Sequence, residues 1–279
     1  MQLSNKYNLP DTIVSAVKND SYSHSGAISI TGLIRPPRMR SLEMRHDSEI
    51  TIDASERIWS LLGQSVHAIL ARADTTNHLS EERLNAEVLG WKVSGQADLY
   101  SQDGTISDYK VTSVFSFLLG EKQEWVQQLN GYGWLYRRAG FEVNKLQIVA
   151  ILRDWMSSKA AQPDYPKSPV IVVPVPLWSD LEVSGWIEAR VKLHQESEKL
   201  ADGDLPLCSE SERWSRPDTW AVIKPGNKRA YRVLDSEKEA NDMSDSLKMS
   251  VQYRQGENVR CMRFCNAAPF CDFAKNLHV

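Results

Sequence analysis

Apolar residues recur at intervals of three and four between Asp53 and Ala73, at Ile58, Leu62, Val66, Ile69 and Ala73. That period predicts an amphipathic helix with one buried stripe. A second helix is predicted from Glu121 to Ala139, with Trp125, Leu129, Tyr132 and Tyr136 on one face. A third spans Trp178 to Leu200, its stripe made of Val183, Ile187, Val191 and His194. A short helix over Pro10–Lys18 leads into a polar, serine-rich turn that ends near residue 25. Strand-like runs lie at Ile28–Leu33 (ISITGL), inside FEVNKLQIVAILRDW, and at VIVVPVP before the third helix. Pro36 and Pro37 are expected to stop regular structure after the first of these. Thr76–Glu82 reads as a polar connection, and the proline-rich stretch from Pro163 to Pro176 as a surface loop.

Between the first two helices, Val93–Val111 (VSGQADLYSQDGTISDYKV) sets the turn-forming S-Q-D-G between two strand-like segments, the pattern of a hairpin or a pair of adjacent strands. Alternate strand residues share a face, so Asp108 and Lys110 project together, and the turn can bring Asp98 beside them. Two carboxylates and an ammonium on one patch suit a divalent metal and a phosphate. An exposed hairpin with ordinary surface charges has the same spacing. His67 sits at the edge of the first helix's stripe, one turn from Gly63. Such a histidine is either a hydrogen-bonded structural residue or, if the helix packs on the hairpin, a further ligand. Glu87 lies one strand-length before Asp98, where it would orient or charge the same cleft. Gln128 and Tyr132, four apart on the second helix, are surface neighbours, with Arg137 just beyond. Gly131 and Gly133 cost that helix stability, which points to close approach by a partner or a packed helix.

Helix, hairpin, helix and strand in this order predict an α/β fold with a mixed sheet. The expected domains are a core over residues 1–204 with an N-terminal extension, and a C-terminal lobe over 205–279.

The chain has 279 residues, enough for one large domain and a small appendage. Its formal net charge of -3 makes any nucleic-acid surface a local patch rather than a property of the whole molecule. No apolar run reaches membrane-spanning length and MQLSNKYNLP lacks a signal-peptide core, so a cytoplasmic protein without a membrane partner is the default.

Basic residues concentrate in two places. Arg35, Arg38 and Arg40 flank the two prolines and are candidates to meet phosphates or simply to face solvent. Residues 213–232 carry six basic side chains and one acidic, with Trp214, Trp220 and Tyr231 interleaved. Arg213, Arg216, Lys224, Lys228 and Arg229 beside flat rings suit a nucleic-acid backbone and its bases. A small hairpin turned at P-G-N and held by its own aromatics is the alternative. Residues 235–247 read as a spacer or a solvated helix. Three of the four cysteines, Cys261, Cys265 and Cys271, crowd the last twenty residues, and Cys208 is the candidate fourth. Sulfur-only ligation of this kind suits structural Zn²⁺ or an iron–sulfur cluster, either of which would staple the tail to the segment near residue 208.

Taken together, His67, then Gly95-x2-Asp98, then Asp108-Tyr109-Lys110, then Gln128-x3-Tyr132, resembles the RecB/Cas4-like branch of the PD-(D/E)XK nucleases, particularly small phage-encoded members. The resemblance covers roughly residues 59–136 and resumes in the C-terminal cysteines. It implies a restriction-endonuclease-like core and a metal-dependent deoxyribonuclease, an exonuclease of DNA recombination, repair or phage replication. It implies Mg²⁺ or Mn²⁺ held by His67, Asp98, Asp108 and the backbone carbonyl of Tyr109. Lys110 would serve the attacking water, Gln128 and Tyr132 would hold the strand or support the lysine, and Glu87 would match an accessory acid. A [4Fe-4S] cluster on Cys208, Cys261, Cys265 and Cys271 is implied as well. The expected early cysteine near Pro36 is missing, and C-x3-C is one residue longer than the common form. DNA is the implied partner, with a recombinase or single-strand-binding protein as further company, in the cytoplasm of a bacterial host if phage-encoded. The rival class is a non-catalytic DNA-binding or assembly protein that keeps the nuclease fold.

Overall fold

The computed structural model describes residues 1–19, 27–73, 78–118, 120 and 122–278. The serine-rich turn, the start of the Thr76–Glu82 connection and Glu121 fall wholly or partly outside them. In chain order the elements begin with strand β1 (Gln2–Ser4), helix α1 (Asp11–Lys18), β2 (Ile28–Ser29), α2 (Ile30–Ile34), α3 (Pro37–Arg45), β3 (Thr51–Asp53) and α4 (Ile58–Leu70). Then come β4 (His78–Ser80), β5 (Arg83–Val88), β6 (Trp91–Gln96), β7 (Leu99–Ser101), β8 (Thr105–Thr112), α5 (Val114–Leu118), α6 (Gln123–Arg138), β9 (Lys145–Leu152), β10 (Val170–Val175) and α7 (Asp180–Glu198). The remainder is α8 (Glu210–Arg213), β11 (Ser215–Arg216), β12 (Thr219–Ile223), β13 (Arg232–Leu234), α9 (Glu237–Leu247), β14 (Ser250–Arg254), β15 (Glu257–Asn258), α10 (Val259–Arg263) and α11 (Asp272–Lys275). They divide into two compact units. One contains Met1–Arg35 and Ser48–Lys199; the other contains Pro36–Asp47 and Leu200–Val279.

The first unit is α/β. Its main sheet has five strands in the order β10-β9-β8-β7-β4, mixed because β8 and β9 run parallel while the other pairs are antiparallel. The parallel pair requires a long crossover, and α6 supplies it. A three-stranded sheet, β2-β6-β5, completes the framework. Leu146, Ile148, Ala150 and Leu152 alternate along β9 and are buried with Leu129 and Leu135 of α6 and Val183, Ile187 and Val191 of α7. The stripe read for the third helix is thus the one that α7 buries. Gly131 has its reason here. A Cβ at that position would stand 2.5 Å from Ile30 Cγ2, so the glycine lets α2 lie against α6. Gly95 does the same between β6 and α6, facing Leu135 and Tyr132.

Four expectations about local structure are corrected. Ile28–Leu33 is not one strand: Ser29 accepts a hydrogen bond from the Gly32 backbone N–H and caps α2. The prolines after it open a helix instead of ending structure, because Pro37 at the first helical position gives up an N–H that has no intrahelical partner anyway. Val93–Val111 is a hairpin only over β7 and β8. A bend at Ala97–Asp98 ends β6 in the other sheet. Finally, α4 buries no residue fully. Leu61, Val66, His67 and Leu70 are half-buried, whereas Leu62 and Ile69 are exposed, so the helix is rotated from the face its periodicity indicated.

The second unit contains a three-stranded antiparallel sheet, β13-β12-β14, with Ala240 of α9 buried alongside Ala221 and Val222. A separate small core joins Leu42 of α3 to Leu205, Ala267, Cys271 and Ala274.

Candidate active site

Strand β8 carries the decisive residues. Ile106, Asp108 and Lys110 share one face, in register with Leu146, Ile148 and Ala150 of β9. A carboxylate therefore sits in a row of apolar side chains beneath α6, and Asp108 is only 2% exposed. Such burial penalises charge. It is compensated from two sides. Gln128 Nε2, on α6, donates to Asp108 Oδ1 at 3.0 Å and to the Tyr132 hydroxyl at 2.9 Å. Lys110 Nζ lies 2.6 Å from Oδ2, an ionic neighbour beside which that oxygen has no other polar partner among the described residues. Burial holds the Asp108 pKa above the usual carboxylate value, against the pull of Lys110.

Asp98 reaches the same place from the bend after β6. Its Oδ2 accepts from the Tyr109 backbone N–H at 2.6 Å, which pins the bend to β8. His67 Nδ1 stands 3.0 Å from Asp98 Oδ1, and Nε2 stands 3.2 Å from the Tyr109 carbonyl oxygen. A carboxylate and a carbonyl both only accept, so the doubly protonated ring is the form that satisfies both contacts. The Asp98 hydrogen bond raises the His67 pKa accordingly, with the charges of Asp98 and Asp108 adding to it.

Of the residues singled out from sequence, His67, Asp98, Asp108, Tyr109, Lys110, Gln128 and Tyr132 are brought together. Glu87 is not. It is exposed on β5 with Lys92 as its ladder partner, and among the described residues no hydrogen bond or ion pair links it to the cluster. The chemistry of the donor set fits a hard divalent cation: two carboxylates and a backbone carbonyl, joined by the His67 imidazole once its second proton is released. Asp108 Oδ2 is an acceptor still short of a hydrogen bond. Among the described residues, however, no three His, Cys, Asp or Glu side chains already converge as an ion site.

No model of a known protein family matches the chain, and no curated protein sequence matches it. Distant likenesses exist among solved structures. The crystal structure of SSO0001 gives a TM-score of 0.43 at 18% identity, over 66% of this chain and 84% of that one. An alkaline exonuclease from Laribacter hongkongensis gives 0.40 at 10% identity, over 62% and 90%. A candidate exonuclease from Eubacterium rectale gives 0.31 at 14% identity, over 53% and 54%. Likenesses this distant carry no argument about activity; the geometry of the cluster has to carry its own.

In the second unit Cys208, Cys261, Cys265 and Cys271 line one cavity together with Arg38, Leu42 and Arg213. All four are free thiols, and no bond among them forms a staple. Burial pushes Cys208 up to about 12 and Cys265 to about 11, and raises Cys261. Arg38 is a correction. It is 4% exposed, and its guanidinium donates to Leu205 O at 2.5 Å and to Cys271 Sγ at 3.2 Å, so it holds this small core together and faces no phosphate. Arg213 is committed in the same way, to Asn258 Oδ1, the Cys208 carbonyl and the Phe273 ring. Arg216 pairs with Glu257, and Trp220 packs on Tyr253. Trp214 is exposed, with the Arg260 guanidinium 4.1 Å over its ring. Lys224 lies over Tyr231, and Lys228 and Arg229 are exposed at the turn between β12 and β13. Arg35 and Arg40 are half-buried, as is Arg137, whose Nε donates to the Gly133 carbonyl at 3.4 Å.

Among the described residues no helix is long and apolar enough to cross a membrane.

Proposed function

We propose that this protein is a divalent-metal-dependent DNA nuclease, acting as an exonuclease, with its reaction at Asp98, Asp108 and Lys110. One observation carries the proposal. A buried carboxylate is held on an otherwise apolar strand face, 2.6 Å from a lysine and beside a second carboxylate, where a packed apolar residue would stabilise the fold better. Stability is commonly given up in this manner where chemistry is done.

Asp98, Asp108, His67 and the Tyr109 carbonyl would hold Mg²⁺ or Mn²⁺, which would neutralise charge on the phosphodiester and lower the pKa of a bound water. Lys110, on the same strand face as Asp108, would sit against the attacking water or the phosphate oxygens. Gln128 would keep Asp108 oriented, with Tyr132 fixing Gln128 in turn. The four-cysteine cavity would take a sulfur-ligated centre, [4Fe-4S] or structural Zn²⁺, in a supporting role.

The test is digestion of 5′- and 3′-labelled DNA by the purified protein with and without Mg²⁺ or Mn²⁺. Cleavage is expected only with metal, and Asp108→Ala and Lys110→Ala should bind DNA without cutting it. Equal cleavage by these variants overturns the assignment of the site. Retardation of DNA by the wild type without any loss of label would favour the non-catalytic binding protein. Metal and acid-labile sulfide analysis of anaerobically purified protein reads the cysteine centre independently.

A further inference from the structure

Where β8 and β9 end, next to the cluster, a tryptophan and an arginine meet in the open. Trp59, near the start of α4, is 57% exposed. The Arg153 guanidinium, on the residue that follows β9, lies 4.2 Å from the centre of its ring. Arg153 is itself exposed, and among the described residues no acceptor takes its guanidinium N–H groups. Its position is firm: the Arg153 backbone N–H donates to Thr112 O at 2.9 Å, and Asp154 Oδ1 accepts from the Val114 N–H at 2.7 Å. The second bond anchors α5, on which Phe115 is 64% exposed.

Two independent elements set the distance from this pair to the cluster. Lys110 is in register with Ala150, three residues before Arg153, which is about 10 Å along a strand. Trp59 and His67 are eight residues apart on α4, about 12 Å along a helix. A flat ring backed by a cation with free planar donors is suited to one ligand chemistry above others, a nucleotide whose base is unstacked from its neighbours. In duplex DNA the base faces are already occupied by stacking, so the pair selects an unpaired strand.

We propose that Trp59 and Arg153 form a stacking platform for one base and phosphate of single-stranded DNA, about two nucleotides from the scissile position. The inference rests on the nuclease reading for the cleft it feeds, but its test is binding in the absence of metal. Fluorescein-labelled oligothymidylate of about 12 nucleotides is titrated in chelator and followed by anisotropy, together with a series in which a single abasic site is moved along the strand.

Wild-type protein should lose about tenfold in affinity when the abasic site reaches one particular position. Trp59→Ala should bind about tenfold more weakly and lose nothing further there; Trp59→Phe should keep most of the affinity and the position effect. Arg153→Gln should reduce the salt dependence by about one counterion. The platform is overturned if Trp59→Ala binds as the wild type does, or if the abasic penalty survives in it. A wild type with the position effect but no metal-dependent cleavage would support the platform while removing the nuclease reading. A wild type that cleaves, with Trp59→Ala indistinguishable from it, would remove the platform alone.

Discussion

Gln128 Nε2 donates at once to Asp108 Oδ1 and to the Tyr132 hydroxyl, so one amide joins the buried carboxylate of β8 to the core face of α6. Removing it leaves Asp108 Oδ1 unpaired and its rotamer unsupported. For Gln128→Leu, metal-dependent cleavage is expected to fall by about 10–100-fold with a matching rise in the metal concentration needed, as for other groups that orient a ligand. Unchanged turnover and metal dependence would show that Gln128 serves packing alone.

The charge on Asp108 weakens the fold of the metal-free protein. Burial raises its pKa, so ionisation at neutral pH costs stability that the neutral isostere does not. In chelator, the unfolding temperature of the wild type measured against that of Asp108→Asn should therefore fall as pH rises from about 4 through the Asp108 value. Calorimetry across that pH range reads it, and a difference that grows with rising pH would contradict it.

Much of the cluster was legible in the primary structure, because strand alternation alone puts Asp108 and Lys110 on one face and helical spacing alone puts Gln128 beside Tyr132. Other residues depended on contacts that no local pattern records. The periodic face of α4 and its half-buried face differ, since the latter is set by where His67 meets Tyr109 across 42 positions of sequence. The β-branched residues of ISITGL have strand character, yet the Ser29 cap and the notch at Gly131 make a helix of all but its first two. Glu87 is the right residue type on the wrong sheet. Arg38 looked like a surface cation until Leu205 and Cys271 closed around it, and Trp59 with Arg153 belong to segments that only the folded chain brings together.

Gly131 gives a packing test. Alanine there gains about 1 kcal/mol of helix propensity, but its methyl meets the β-branched Cγ2 of Ile30, itself fully buried. Overpacking of this kind costs about 1–3 kcal/mol, so Gly131→Ala should be net destabilising. Ile30→Ala in the same chain should recover part of the loss. A double-mutant cycle with no coupling would place the strain elsewhere.

Asp53 supplies a pH dependence. It accepts from the Lys6 backbone N–H, from the Ser55 backbone and hydroxyl, and from Ser4, and these bonds hold its pKa well below the usual carboxylate value. A depressed folded-state pKa stabilises the fold fully above the unfolded value of about 3.9, and the gain is lost as pH falls through the folded value. The wild type should thus melt above Asp53→Asn at pH 7, with the gap unchanged down to about pH 5 and narrowing below about pH 4. A gap that widens on acidification would contradict this account of the Asp53 hydrogen bonds.

Helix α3 belongs to the second unit although it is encoded within the first, and its Leu42 and Arg38 are buried by residues from Leu205 onward. A ribosome therefore delivers α3 roughly 150 residues ahead of the chain that covers it. At ~5–20 residues per second, that is a wait of about 8–30 s with an apolar helix face and an unpaired guanidinium in water. The second unit cannot complete its small core until Ala274 is made. A nascent chain halted before Leu205 would carry α3 as an uncovered, chaperone-accessible segment.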